Sequence, residues 1–185
     1  VEYYRKNPAT EQIDRKMSFV TSIPSADWFI GTGFYGDPPD NYYSYNEAYS
    51  LVTMESTVTM SKGIGGILKD TYLGEQDRID FCRTFLDHIR FFDDGSGYFF
   101  IVNMDGICIA QGFSPELEGQ NIIDLQDTQG MYFIREMIDL VKENGSGTLY
   151  YNWNNPATGQ DEIKNTFVIR IPETNYYIGS GFYMF

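Results

Sequence analysis

Gly97-Tyr98-Phe99-Phe100-Ile101-Val102-Asn103-Met104-Asp105-Gly106-Ile107-Cys108-Ile109-Ala110-Gln111 reads as a β-hairpin. Two apolar runs, Tyr98–Asn103 and Ile107–Gln111, flank Asp105-Gly106, a dipeptide that tolerates the positive φ of a tight turn. Upstream the period changes. Ser44-x-x-Glu47 is a capping-box pattern, and a long helix is expected to run from it to about Leu68. Its apolar stripe is Leu51, Met54, Val58 and Ser61, and Gly63, Gly65 and Gly66 weaken its last turns. A second helix is expected at about 75–90, where Ile79, Cys82, Phe85, Leu86 and Ile89 recur at helical spacing.

Downstream of the hairpin comes a loop rich in acids and amides, then a third helix at about 129–143. Ile134, Met137, Ile138 and Val141 form its apolar face, and Asn144-Gly145 offers a left-handed cap. Three strands close the chain, at 147–153, 162–171 and 176–184. The order α-α-β-β-α-β-β-β predicts an α+β module. It has one curved five-stranded antiparallel sheet, a long N-terminal helix at its side, and a covering helix and loop.

The end of this module is written twice. Shifted by 148 positions, Asn7-Pro8-Ala9-Thr10 falls on Asn155-Pro156-Ala157-Thr158, and Ile30-Gly31-Thr32-Gly33-Phe34-Tyr35 falls on Ile178-Gly179-Ser180-Gly181-Phe182-Tyr183. Residues 3–35 and 151–183 share 16 identities in 33 ungapped pairs, where roughly two are expected by chance. The period is too long for a solenoid. Residues 1–36 are therefore read as the C-terminal β-hairpin of a preceding module, and 37–185 as a complete module of the same kind. Strands are expected at 16–23 and 28–35, around the turn Pro24-Ser25-Ala26-Asp27. The breaker Gly36-Asp37-Pro38-Pro39-Asp40-Asn41 marks the boundary. With Val1 in first place, the sequence is read as a piece of a longer protein.

Composition is that of a soluble, globular chain: 42% hydrophobic and 17% aromatic, with 15 Tyr and 14 Phe that favour strands and large apolar contacts. The net charge of −13 argues against nucleic acid, which needs a basic footprint, and against docking on anionic lipid. No apolar run reaches the roughly 20 residues of a membrane span. Cys82 and Cys108 lie in apolar patterns and read as buried small hydrophobes, since two scattered cysteines make neither a disulfide framework nor a zinc site.

Several residues are candidates for chemistry. Lys164 opens a strand, with Lys16 at the equivalent place in the repeat; it is either an anion contact or a snorkelling surface lysine. Tyr151 and Trp153 leave their strand on one side, and Trp153 suits either a ligand lid or the core. Tyr98 and Phe100 share a face, with core packing as their default. Arg90 is a fork for a carboxylate or a partner for a surface acid. Asp124 and Asp127 could hold calcium, but Asp127 is more simply a helix N-cap. Gly31-Thr32-Gly33 and Gly179-Ser180-Gly181 precede no helix and so are not dinucleotide loops. His88 is the only histidine. No nucleophile-and-base pairing stands out.

The ordered landmarks Gly97-Tyr98-Phe99-Phe100-Ile101, Asp105-Gly106, Pro115-x-Leu117-Glu118-Gly119-x-Asn121, Asp127-x-x-Gly130, Gly147-x-x-Tyr150-x-x-Trp153-x-x-Pro156, Lys164-x-x-Phe167-Val168 and Tyr177-Ile178-Gly179-Ser180-Gly181-x-Tyr183 resemble the Cache domains. The likeness is to their type 2 group, the extracytoplasmic sensor modules of bacterial chemoreceptors and sensor kinases. The resemblance implies a PAS-like fold and a ligand pocket between the sheet and its covering helix and loop. It implies no catalytic residue, cofactor or metal, and a membrane-anchored parent protein. It allows a homodimer through the long helix. The implied ligand is a small organic acid such as pyruvate, lactate or acetate, or an amino acid, held by Lys164, Trp153, Tyr151, Tyr98, Phe100, Gln111 and Arg90. Family members often carry His-Pro after the Asp-Gly hairpin; this chain has Gln111-Gly112, an amide that donates or accepts. The alternative is an interaction or scaffold module that kept the fold and lost the pocket.

Overall fold

The Asp105-Gly106 turn forms as its residues dictate. Gly106 sits at φ 84°, and the Asn103 side-chain oxygen accepts from the N–H of Asp105 at 3.0 Å and of Ile107 at 2.8 Å. A computed structural model describes residues 2–22, 29–35, 45–70 and 72–184 of the chain, which fall into two units, Val1–Tyr42 and Tyr43–Phe185. The turn at 24–27, the breaker at 36–41 and the Ser44 cap lie outside the described residues.

In the larger unit two helices come first, α1 (Tyr45–Leu68) and α2 (Glu75–Asp87). Strands β4 (Phe99–Asn103) and β5 (Cys108–Gln111) follow. After them come a short 3-10 turn at Pro115–Leu117 and α3 (Phe133–Asn144). The unit ends in β6 (Ser146–Asn154), β7 (Asp161–Arg170) and β8 (Tyr176–Tyr183). The sheet order is β5-β4-β8-β7-β6, antiparallel at every step. The predicted α+β sheet is present. The third helix starts at Phe133 rather than 129, because the preceding residues are held in a loop by Asp127. The second ends at Asp87 rather than 90, and α3 ends on Gly145 at φ 76°.

Both faces of the sheet are covered. Tyr98, Phe100, Val102, Tyr151, Val168 and Tyr177 pack against Phe133, Ile134, Met137, Ile138 and Val141 of α3. On the opposite face Phe99, Ile101, Ile109 and Ile178 pack against Ile64 and Leu68 of α1 and Cys82 and Leu86 of α2. Burial pushes the thiols of Cys82 and Cys108 up to about 12, so both stay protonated.

The expected stripe of α1 is only partly the buried one. Leu51 and Met54 are exposed and Val58 is half-buried; Ser61 is buried, together with Thr53, Thr57, Ile64, Gly65 and Leu68. Small residues win because the helix lies close to the sheet. Ser61 Oγ donates to the Arg170 carbonyl at 2.8 Å, Thr57 Oγ1 donates to the Thr53 carbonyl at 2.6 Å, and Gly65 lies against Pro172. Of the three glycines that weaken the helix in isolation, Gly65 is the one that allows that approach, and the helix runs through to Leu68.

The smaller unit is an antiparallel sheet of β1 (Glu2–Lys6), β2 (Ile13–Ser22) and β3 (Phe29–Tyr35), in that order. Its pairing reproduces that of β6–β8 at the 148-residue offset. Tyr3 pairs with Lys16 and Lys16 with Tyr35, as Tyr151 pairs with Lys164 and Lys164 with Tyr183. The turns agree to the hydrogen bond. Asn7 N donates to the Gln12 carbonyl and Asn155 N to the Gln160 carbonyl, both at 2.8 Å. The Asn7 amide reaches Asp14 at 2.8 Å and the Asn155 amide reaches Glu162 at 2.7 Å. Glu11 adopts φ 60° where its counterpart Gly159 adopts φ 69°.

Strand β8 lies at the centre of the five-stranded sheet and is buried on both faces. Its two glycines face α3. A Cβ on Gly179 would come within 2.8 Å of the Phe100 ring. One on Gly181 would overlap the Asn165 carbonyl and come within 2.9 Å of Lys164 Cε. Backbone cannot retreat as a side chain can. Gly181→Ala is therefore expected to destabilise the fold by about 1–3 kcal/mol, read as a lower urea midpoint at unchanged slope.

Candidate functional site

Between α3 and the Tyr98 face of the sheet lies an aromatic cavity of about 20 Å³, room for about one water. Tyr98, Phe100 and Gln111 of the hairpin, Tyr151 and Trp153 of β6, and Phe133 and Met137 of α3 are among its walls. Alternation along β6 explains the pairing of Tyr151 with Trp153 on one side. Phe133 stacks on Tyr151 at 4.5 Å and 6°, and meets Trp153 edge-on at 5.2 Å, geometries that aromatic quadrupoles favour.

Lys164 lies on the same face, paired across the sheet with Tyr151 and Tyr183. Its relative exposure is 0%, which rules out a snorkelling surface lysine. The amine Nζ sits 3.7 Å from the Tyr98 ring centroid and 5.1 Å from that of Tyr183, and it has no hydrogen-bond partner among the described residues. Among the described residues no carboxylate forms an ion pair with it. A cation–π contact contributes about 0.5–2 kcal/mol, whereas burying an ion costs several. The rings alone do not balance the charge, and burial holds the Lys164 amine well below the usual lysine range. Lys164 is not itself part of the cavity wall. Tyr98, which is, lies under the amine.

The hydroxyl of Tyr98 is pushed well up by burial and by Tyr183, with the Trp153 indole and Arg90 opposing. Tyr183 donates to the Asn154 carbonyl at 2.5 Å, and Thr166 Oγ1 donates to the Tyr151 hydroxyl at 3.3 Å. Gln111 accepts on its side-chain oxygen from the Phe113 N–H at 3.3 Å, while its own N–H donates to Glu118 at 2.9 Å. Glu118 is tied in turn to Arg83, 3.2 Å away. The structure thus brings Tyr98, Phe100, Gln111, Tyr151 and Trp153 to one cavity with Lys164 behind Tyr98. Arg90 does not join them. It is exposed, and its guanidinium donates to the carbonyls of Asp87, Ile89 and Gly112.

The sequence reading passed over Phe133, though it heads a helix whose apolar face was visible. It also missed what Asp127 does. The helix N-cap is Tyr132. Asp127 instead accepts from the N–H of Gln129 at 2.9 Å, Met131 at 2.9 Å and Asn152 at 3.0 Å. One carboxylate so fastens the covering loop to β6 beside Trp153. Asp124 pairs with Arg135, and among the described residues no group of three His, Cys, Asp or Glu is arranged to hold a metal. His88 is on the surface.

A five-stranded antiparallel sheet with an aromatic cavity under a fastened loop is the architecture of a PAS-like sensory module. A family model described as a Cache domain matches residues 53–185, and the chain belongs to that family. The sensor histidine kinase MctS of Rhizobium johnstonii is 35% identical over 88 residues, 48% of this chain and 19% of the kinase. The methyl-accepting chemotaxis protein McpP of Pseudomonas putida is 25% identical over 91 residues, 49% of this chain and 17% of that protein. The chain thus spans less than a fifth of either relative. The crystal structure of a methyl-accepting chemotaxis protein from Vibrio parahaemolyticus aligns with a TM-score of 0.63 at 26% identity, covering 74% of this chain and 88% of that one. A Cache chemosensory domain described for its carboxylic acid recognition aligns with a TM-score of 0.63 at 23% identity, over 77% of this chain and 100% of that one. The last likeness is one of fold. No helix among the described residues is long and apolar enough to cross a membrane.

Asp127 makes a direct prediction. Burial raises its carboxyl, but the hydrogen bonds from Asn152, Met131 and Gln129 together outweigh that and hold it below the usual aspartate range. Its contribution is therefore fully present above the unfolded value and is lost as pH falls through the lower folded one. Asp127→Ala is expected to lower stability by about 1–3 kcal/mol and to flatten the acid limb of a thermal-melt pH series. An unchanged acid limb would free Asp127 of this role.

Proposed function

We propose that this chain is the ligand-binding input module of a membrane-anchored chemoreceptor or sensor kinase. It works on the extracytoplasmic side and binds a small carboxylate without chemical conversion. Residues 1–36 are the end of a preceding module of the same kind, supported by the strand pairing and turn hydrogen bonds repeated at 148 positions. One observation carries the ligand class: Lys164 is fully buried and its Nζ has no partner among the described residues. In a chain of net charge −13, an anion is held only where local donors outweigh the general field. An unpaired buried amine supplies that.

Protonation of Lys164 and arrival of a carboxylate are coupled. Each lowers the cost of the other, since a paired buried ion costs less than a lone one. Tyr98 and Trp153 supply donors, Phe100 and Tyr151 apolar walls, and Gln111 an amide that also admits an amino acid. The cavity of about 20 Å³ is smaller than any such acid. Binding therefore shifts Tyr98 and the loop above it, and that displacement is the signal. The small cavity also supports a second reading, a scaffold module with the fold kept and the pocket closed.

Calorimetry with acetate, lactate and pyruvate tests the proposal. One charge-assisted contact is worth about 1.5–3 kcal/mol, so Lys164→Ala is expected to weaken binding about 10- to 150-fold. Lys164→Arg is expected to weaken it too, because a planar fork does not replace a compact ammonium. Equal affinity in wild type and Lys164→Ala removes Lys164 from the site; no binding of any small acid favours the scaffold.

The pH dependence has a definite sign. The folded value of Lys164 lies below the unfolded one of about 10.4. Between the two the unfolded chain carries the extra proton, so stability of the ligand-free protein rises with pH. Lys164→Met is expected to remove that slope. Carboxylate binding should take up protons, seen as a binding heat that changes with buffer ionisation enthalpy.

A further inference from the structure

A second opening in the larger unit is used by nothing described above. A cleft of about 660 Å³ lies where the end of α1, the start of α2 and the β4–β5 and β7–β8 turns meet, and it shares no wall residue with the aromatic cavity. Its size falls in the range of small-molecule sites.

The walls carry charges of both signs. Arg78 and Arg170 face the same cleft as Glu75, Asp105 and Glu173, yet among the described residues no ion pair joins any of them. The guanidiniums are anchored rather than neutralised. Arg78 Nη2 donates to the Asp70 carbonyl at 3.1 Å, and its Nε is buried without a partner. Arg170 makes one long contact to the Thr174 carbonyl at 3.4 Å. Tyr176, at the same wall, has its hydroxyl pushed up by burial first, then by Cys82 and Glu75, with Arg78 opposing, so Glu75 and Arg78 both lie within electrostatic reach of it. Glu173 is held at φ 60°, a backbone conformation that a non-glycine residue adopts only at a cost.

An anion alone meets three carboxylates here, and a cation alone leaves two guanidiniums unpaired. A molecule carrying both charges a few ångströms apart satisfies the wall. We propose that this cleft is a second binding site, for a small zwitterion of the α-amino-acid type. Arg78 and Arg170 take its carboxylate, as a planar fork does, and the acids of the opposing turns take its ammonium.

The test is amide NMR of the whole 185-residue chain carrying Lys164→Met, so that the acid site proposed above cannot supply the signal. L-Alanine is titrated against its two halves, acetate and methylammonium. Saturable shifts at 73–78, 103–106 and 170–176 are expected with millimolar L-alanine, with each half at least about tenfold weaker. Arg78→Gln and, separately, Glu173→Gln are each expected to weaken L-alanine about tenfold; Arg170→Gln replaces Arg78→Gln if that variant does not fold. The proposal is overturned if L-alanine leaves these amides unmoved, if acetate alone matches it, or if the shifts map instead to the aromatic cavity.

Discussion

Two glycines on the central strand decide how this module is put together. At Gly179 the sheet admits the Phe100 ring and at Gly181 it admits the Lys164 side chain, each pressed against bare backbone. A strand covered on both faces ordinarily carries bulky apolar residues. Here β8 alternates. Ile178 and Phe182 are fully buried, and Gly179 and Gly181 leave space on the cavity side. That space lets a lysine lie flat in the interior with its amine over Tyr98. A buried amine and an aromatic cavity come together because no Cβ stands between the strands.

The cover over the cavity is fastened at its two ends by carboxylates. Glu118 accepts from the Gln111 N–H on the edge strand β5 and pairs with Arg83 of α2. Asp127 accepts from Asn152 on the opposite edge, β6. Between these anchors the cover is bonded to the hairpin through its backbone: the Gly119 N–H donates to the Cys108 carbonyl at 2.7 Å, the Cys108 N–H to the Gln120 carbonyl at 2.9 Å and the Ile122 N–H to the Gly106 carbonyl at 2.8 Å, while Ile122 and Leu125 line the cavity. The first half of the cover is thus fixed to the hairpin by directional bonds, and its far end is fixed to β6 by Asp127. The helix α1 occupies the other face, where small residues let it lie close, Ile64 and Leu68 join the core and Ser61 donates one hydrogen bond.

Much of this was legible in the residues. Asp105-Gly106, the alternation around it and the Asn144-Gly145 stop are local signals, and each structure formed where its residues placed it. The 148-residue repeat reached further, because pairing register follows from side-chain parity, and Tyr3, Lys16 and Tyr35 occupy the positions of Tyr151, Lys164 and Tyr183. The buried face of α1 was legible at Ser61 but not at Thr53 and Thr57, for a physical reason. Threonines carry no hydropathy signal, and their burial is decided by how near the helix sits to the sheet. Arg90 was likewise open from its charge alone; its use on three backbone carbonyls depends on where α2 ends.

The sequence by itself determined the strand and helix order, the antiparallel sheet, the sensor-type resemblance and the aromatic character of the site, since these rest on local propensity and on parity along single strands. Only the tertiary structure decided that Lys164 is wholly buried and unpartnered, that Tyr98 lies between it and the cavity, that Asp127 ties a loop to β6 instead of capping a helix, and that two arginines and three acids share a cleft unpaired. Those are facts about distances between groups far apart in the chain. Burial and pairing, which set the energy of a charge, do not exist until the sheet has closed.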